Sequence, residues 1–172
     1  MLKRIIIPLA IALPILGLLY VGLGRDTREL PSPLVGEPAP AFELTSLQDQ
    51  DETVTKADFT GDLSVVHVWS STCPVCHEDF PILERLSEQG VDVYAFNYRD
   101  QRQRALQYLK VRGNPYDKIA YDPEGEAGMD WGVYATPETY VIDDGTIVYK
   151  QIGPLNEEVV QEEILARAEA GS

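Results

Sequence analysis

The chain contains two cysteines, and they stand two residues apart in Cys73-Pro74-Val75-Cys76. Two are too few to staple a disulfide scaffold or to complete a four-cysteine zinc site. Dithiol redox chemistry, covalent haem attachment and a shared metal remain. The residues around the pair favour the first. Leu63 to Trp69 is apolar and β-branched, the pattern of an interior strand covered on both faces, and the cysteines follow it at once. Pro74 suits the first turn of a helix whose apolar positions, Phe80, Leu83 and Leu86, recur at helical spacing until Gly90. A cysteine at such a junction meets unpaired backbone N–H groups and the positive end of the helix dipole. Those dipoles favour thiolate over thiol and lower a cysteine pKa from about 8.5 to roughly 7. Cys73 is therefore the expected nucleophile of disulfide exchange. Cys76, one turn on and more buried, attacks the mixed disulfide and releases the product. Pro74 fixes one backbone angle between them and removes a donor.

Two rival chemistries use the same residues. Cys73-Pro74-Val75-Cys76-His77 matches the C-x-x-C-H pattern of haem attachment, with His77 as one axial ligand and Met129 available as a second. Against it, a haem-attaching segment needs a pocket around the porphyrin, whereas here a strand feeds directly into an amphipathic helix. A copper or zinc site would recruit His77 or His67, but His67 falls inside the apolar strand and reads as a core histidine. No metal or cofactor is expected.

The elements that must hold the pair can be read from patterning. After the first helix, Val91 to Phe96 makes a strand. Asp100 and Gln103 resemble a capping box opening a helix that carries Ala105, Leu106 and Leu109 and ends at Gly113. Ile119 to Tyr121 is a short strand, followed by a Gly-rich stretch from Gly125 to Gly132. Thr139 to Ile142 and Ile147 to Ile152 flank Asp143-Asp144-Gly145, a hairpin signal that sets the last two strands antiparallel. Asn156 can cap a final helix, with Leu155 and Val160 as its hydrophobic staple. This order predicts an α/β domain, a mixed sheet with helices on both faces.

Ile5 to Leu23 carries no charged side chain and, at about 1.5 Å per residue, just spans a hydrocarbon core. It follows Lys3 and Arg4, and no small-x-small cleavage site follows it, so residues 1–24 read as a retained transmembrane anchor with a cytoplasmic amino end. Residues 25–41, with Pro31, Pro33, Pro38 and Pro40, read as an extended spacer. The domain proper is expected over 42–172. Beyond Arg25 the chain holds 28 Asp and Glu against 11 Lys and Arg. That excess repels phosphate backbones and excludes nucleic acid as a partner.

Val68-Trp69-Ser70-Ser71-Thr72-Cys73-Pro74-Val75-Cys76 resembles the active-site segment of membrane-anchored thioredoxin-like proteins. Gly113-Asn114-Pro115-Tyr116 and Gly132-Val133-Tyr134-Ala135-Thr136-Pro137-Glu138-Thr139-Tyr140 resemble the insert and loop of the cytochrome c maturation branch, the CcmG/DsbE type. The similarity runs from about Leu34 to Ala166 and includes the anchor. The resemblance implies a thioredoxin-like fold and a redox-active Cys73–Cys76 disulfide. It also implies a cis Thr136–Pro137 bond facing the cysteines, and a substrate-binding loop around Tyr134 and Pro137. Asp79 and Glu138 correspond to acidic residues near the dithiol. One departure is Thr72, where the family usually has tryptophan.

The function so implied is reduction of apocytochrome c, or of a maturation thiol protein that handles it, in the bacterial periplasm. A membrane thiol reductase would supply the electrons, and the domain would be tethered to the inner membrane by a single span. The alternatives are a general periplasmic oxidoreductase of TlpA type, a covalent haem carrier at the same cysteines, and a binding module that holds the apoprotein without chemistry.

Overall fold

A computed structural model describes residues 32–59 and 61–171, together with Ile6, Pro14 and Gly17. The expected anchor over 1–24 and the first part of the spacer otherwise lie outside the described residues. Among the described residues no helix is long and apolar enough to cross a membrane.

The central strand is Leu63–Trp69 (β3), buried at every position after the first. Its side chains alternate between two apolar layers. Val65 and Trp69 join the layer that contains both cysteines; Val66 and Val68 join the other. Asp92–Tyr98 (β4) pairs parallel to β3, and Lys118–Asp122 (β5) parallel to β4. Glu138–Asp143 (β6) runs antiparallel on the other side of β3 and pairs with Thr146–Ile152 (β7). The turn between them places both Asp144 and Gly145 at positive φ, the conformation a tight hairpin demands. Two strands that patterning did not reveal, Glu43–Ser46 (β1) and Thr53–Thr55 (β2), complete the order β2-β1-β5-β4-β3-β6-β7. Both are short and mostly polar, so they carry little alternation to read.

Helices cover both faces, as the sequence predicts. The cysteine layer is closed by Phe80–Glu88 (α1), by Arg102–Arg112 (α2) and by the carboxy-terminal α4. This last consists of Glu157–Val159, a π-helical Val160–Leu165 and Ala166–Gly171. Asn156 caps it, accepting from the Val159 amide at 2.9 Å. The opposite layer is built by Phe59, Phe96, Trp131 and Tyr140 under the short helix Glu126–Asp130 (α3).

Three expectations need correction. The helix expected from Pro74 instead begins at Phe80, after a 3-10 turn over Cys76–Glu78. Pro81 is the reason, because it has no N–H for the His77 carbonyl and its ring crowds that group. Asp100 does not cap α2; the cap position is Gln101, without a side-chain hydrogen bond. Proline content extends the expected spacer through residue 41, yet residues 32–41 pack on the sheet. Gly36 donates to the Ile147 carbonyl at 2.8 Å and Ala39 to that of Gly145 at 3.0 Å, Trp131 donates to Pro40 at 3.1 Å, and Ala39 is buried. Prolines are compatible with a chain that runs along a sheet edge.

Asp58 ties this scaffold together near β2 and β5. It accepts from Lys118 at 2.6 Å and from the amide and hydroxyl of Thr55 at 2.9 and 3.0 Å. Chiefly through the Lys118 bond, its pKa falls from 3.8 to about 2. A depressed carboxylate stabilises the fold above its unfolded pKa, and that contribution is lost as pH falls through the folded value. Asp58→Asn should therefore lower the urea midpoint at pH 7, with the gap to the parent closing between about pH 4 and pH 2.

Candidate functional site

The two cysteines meet where β3 ends. After Trp69 the chain turns through Ser70, Ser71 and Thr72, and the Cys73 amide donates back to the Ser70 carbonyl at 3.0 Å. Cys73 and Cys76 are joined by a disulfide, S–S 2.05 Å, with Cα atoms 5.6 Å apart. Cys73 is 6% exposed and Cys76 fully buried, the asymmetry expected of an attacking and a resolving thiol. Pro74 and Thr72 are exposed on either side of Cys73. Trp69, Phe80 and Tyr116 pack together beneath the pair, with Trp69 stacked on Tyr116 at 5.9 Å and Phe80 edge-on to Tyr116 at 5.7 Å.

The loop that carries Cys73 is fastened by Asp100, a residue that sequence reading assigned to a helix cap. One Asp100 oxygen accepts from the Ser71 hydroxyl at 2.7 Å and the other from the Ser71 amide. Asn97 and the Gln101 amide supply two more hydrogen bonds, at 3.0 and 2.7 Å. A carboxylate at the end of β4 thus holds the turn at the end of β3. Nothing in local sequence distinguishes this use of an Asp from capping, because the partners are 29 residues apart.

Asp79, singled out from the resemblance, is fully buried. It lies three residues after Cys76, across the 3-10 turn. One oxygen accepts the Leu155 amide at 2.8 Å; the other is 3.2 Å from His67 Nε2. His67 is buried, as its place in the apolar strand predicts, and it also lies against Asp79, which nothing in the sequence indicates. Its Nδ1 lies 2.7 Å from the Tyr116 hydroxyl. Burial, followed by the charge of Asp79, pushes the Tyr116 phenol well above its ordinary pKa. A phenol kept protonated can donate to Nδ1, while Nε2 approaches Asp79 Oδ2 at 3.2 Å without the geometry of a hydrogen bond.

At the same end of the sheet lies the loop Val133 to Pro137. The Thr136–Pro137 bond is cis, and Glu138, the next residue, pairs in register with Val68 near the end of β3. Pro137 is buried, Thr136 half-buried, and Tyr134 is exposed. Glu138 is fully buried. It accepts the amides of Tyr134 and Ala135 at 2.9 and 3.1 Å through one oxygen, and meets Lys150 Nζ at 3.0 Å with the other. Lys150 is itself almost wholly buried and donates to the Gly132 carbonyl at 2.7 Å. Its ammonium also lies over the rings of Tyr134 and Tyr140, at 4.8 and 5.1 Å. Sequence reading missed Lys150. A lysine in a last strand looks like a solvated edge residue, and only the pairing of β6 with β7 brings it to Glu138. Burial, then Glu138, raises the Tyr140 pKa, so its hydroxyl stays a donor to the Trp131 carbonyl at 2.7 Å.

The haem reading fares poorly in this geometry. Its cysteines are joined to each other, and its axial residues stand apart: His77 precedes α1 on the cysteine face, while Met129 is exposed on α3 against the opposite layer. No cluster of three metal-ligating side chains occurs among the described residues.

Residues 34–168 match the redoxin family. The chain is 45% identical to the thiol:disulfide interchange protein DsbE of Allochromatium vinosum, over 98% of this chain and 96% of that protein. It is 40% identical to DsbE of Escherichia coli, over 94% and 91%. A secreted thiol-disulfide isomerase from Corynebacterium glutamicum shares the fold at TM-score 0.66 and 20% identity, covering 76% of this chain and 85% of that one. The architecture is thioredoxin-like.

Two substitutions test the supports. Asp100→Ala should lower kcat/KM for disulfide reduction by about ten- to a hundred-fold through misplacement of Cys73, with a stability loss of only about 1–3 kcal/mol. Rates and urea midpoints measured on one preparation separate the two effects. Lys150→Met strands a buried carboxylate and should cost about 3–5 kcal/mol, read as a lowered urea midpoint at pH 7. A loss under about 1 kcal/mol would show that the pair behaves as a solvated one.

Proposed function

The chain belongs to the redoxin family, among thiol:disulfide interchange proteins of the DsbE type, and is a thiol-disulfide oxidoreductase; from that premise we propose that it is the reductant of thiols in c-type cytochrome biogenesis. Its client is apocytochrome c, or the maturation thiol protein that handles it. The reading places the domain in the bacterial periplasm, tethered to the inner membrane by the apolar segment 1–24, with a membrane thiol reductase as electron donor.

The carrying observation is the disulfide at the end of β3, with Cys73 retaining slight exposure and Cys76 fully enclosed. In the reduced protein the Cys73 thiolate attacks one sulfur of a client disulfide. The client's S–S bond breaks, and its other sulfur leaves as a thiolate that takes a proton from solvent. Cys76 then gives up its proton, for which Asp79 is the acceptor across the 3-10 turn, and attacks the Cys73 sulfur. The mixed disulfide breaks, the Cys73–Cys76 bond closes, and the client's second sulfur leaves as a thiolate that takes up the proton Cys76 gave up, so the client departs with two thiols. Two electrons from the membrane donor and one proton restore the Cys73 thiolate and the Cys76 thiol. An extended client segment lies along the Tyr134 to Pro137 loop, where backbone pairing needs a rigid edge; the Glu138–Lys150 pair supplies that rigidity.

A general oxidoreductase of TlpA type is the second reading, favoured by the exposed Thr72, which leaves the flank of Cys73 open. Redox poise decides whether the pair reduces or oxidises its clients. Equilibrated against glutathione or dithiothreitol, the pair should settle nearer thioredoxin's about −270 mV than DsbA's about −120 mV. Cys73→Ser should abolish both disulfide reduction and haem attachment to c-type cytochromes in cells that depend on this chain. A DsbA-like potential would contradict the reductant role, and normal haem attachment by Cys73→Ser would contradict the cytochrome assignment.

A further inference from the structure

Beside the turn that carries Cys73 lies a surface pocket of about 490 Å³ whose lining includes Thr72, Arg104, Gln107, Tyr108, Val111 and Arg112. All but Thr72 come from α2. They fall in two rows at a spacing of four residues, 104–108–112 and 107–111, which is one face of a helix. The other face buries Ala105 and Leu109 in the core.

The character of this face is unlike the rest of the molecule. Beyond Arg25 the chain carries 28 acidic and 11 basic residues, yet α2 holds four of those basic residues and no carboxylate. Arg102 is committed to the fold: it donates to Thr45 Oγ1 and to the Ser46 and Leu47 carbonyls, and lies over the Tyr121 ring at 4.3 Å. Arg104 and Arg112 have no ion-pair or hydrogen-bond partner among the described residues and are exposed. Between them lie the Tyr108 ring and Val111, the latter 69% exposed. Two unpaired guanidiniums around an apolar floor form a receptor for a carboxylate carried on a short hydrocarbon stem. Guanidinium pairs with carboxylate in a planar, bidentate fork, and its hydrogen bonds there are charge-assisted.

We propose that this pocket selects client polypeptides carrying an Asp or Glu within about three residues of the cysteine that Cys73 attacks, a reach set by roughly 3.3 Å per residue of extended chain. The inference rests on the oxidoreductase reading and names the substrate class for that site. The lining includes Ser71 and Thr72, the two residues that immediately precede Cys73 in the chain. A client held covalently on Cys73 therefore has its neighbouring residues at the mouth of the pocket. The local preference opposes the global field, because a chain of net charge −14 should as a whole repel an acidic peptide and attract a basic one.

That opposition makes the test decisive in sign. Two blocked peptides, identical except for Asp or Lys two residues to either side of a single cysteine, are each joined by a disulfide to mercaptoethanol. The reduced full chain converts each to the free peptide thiol and mercaptoethanol, with closure of Cys73–Cys76, and the rates are compared at low ionic strength. The wild type should reduce the Asp peptide at least about fivefold faster than the Lys peptide, the preference fading with added salt. The Arg104→Gln, Arg112→Gln double variant should lose or reverse the ratio, and Arg104→Lys, Arg112→Lys should keep its sign. Because each ratio is taken within one protein, a change in overall rate or stability cancels.

Equal rates in the wild type would overturn the proposal; they are the result expected if the basic face serves an anionic lipid surface or a second copy of this acidic chain. An Asp preference that persists in the Gln variant would overturn it as well. Failure to reduce either peptide would overturn the oxidoreductase reading and this inference with it.

Discussion

A disulfide that opens and closes in each turnover must keep its two sulfurs in register while one of them is attached to a client. That requirement falls on the few residues between the end of β3 and the start of α1. Asp100 meets it from one side by gathering the amide and hydroxyl of Ser71. Pro81 meets it from the other, because it ends the 3-10 turn and lets α1 begin afresh at Phe80. The strand beneath is buried on both faces, so the turn at its end has a rigid base. If the turn moved by an ångström, the attacking thiolate would be misaligned with the S–S axis of its client, which costs rate steeply.

Two buried polar groupings stand behind this arrangement, and neither is cheap to bury. His67 lies against Asp79, three residues past Cys76, and Glu138 with Lys150 lies beneath the Tyr134 to Pro137 loop. Apolar residues of similar size would often serve stability as well or better. The two groupings instead do what apolar residues cannot. Asp79 accepts the Leu155 amide and so ties the turn after Cys76 to the residue ahead of α4. Glu138 binds the amides of Tyr134 and Ala135 and so fixes a segment that would otherwise be a free loop. Both lie at the end of the sheet where the cysteines are, which is where perturbed, costly polar groups are expected in a catalytic domain.

Much of this was legible in the sequence because the relevant signals are local. The spacing of Cys73 and Cys76, the apolar run of β3, the Asp-Asp-Gly turn and the Asn156 cap each depend on residues within a few positions of one another. The cis bond at Pro137 and the acids Asp79 and Glu138 came from resemblance, since nothing local marks them. What escaped reading is what depends on pairing across the sheet. Lys150 reaches Glu138 only because β6 and β7 are adjacent, His67 reaches Asp79 only because α1 packs on the strand that carries it, and Asp100 reaches Ser71 only because β3 and β4 end side by side. The packed stretch 32–41 escaped for the same reason, as its long-range hydrogen bonds go to β7, to the hairpin turn and to Trp131, 91 or more residues away. The polar β1–β2 hairpin has too little alternation to be seen at all.

Turnover in this order requires Cys73 to make the first bond to the client and Cys76 to break it. A client peptide disulfide, incubated with reduced Cys76→Ser and digested for mass spectrometry, should accumulate as a stable mixed disulfide on Cys73. The matched Cys73→Ser protein should trap almost none. If the adduct instead forms on Cys76 in that second protein, at a rate equal to or above the first, the order of attack derived from their burial is wrong.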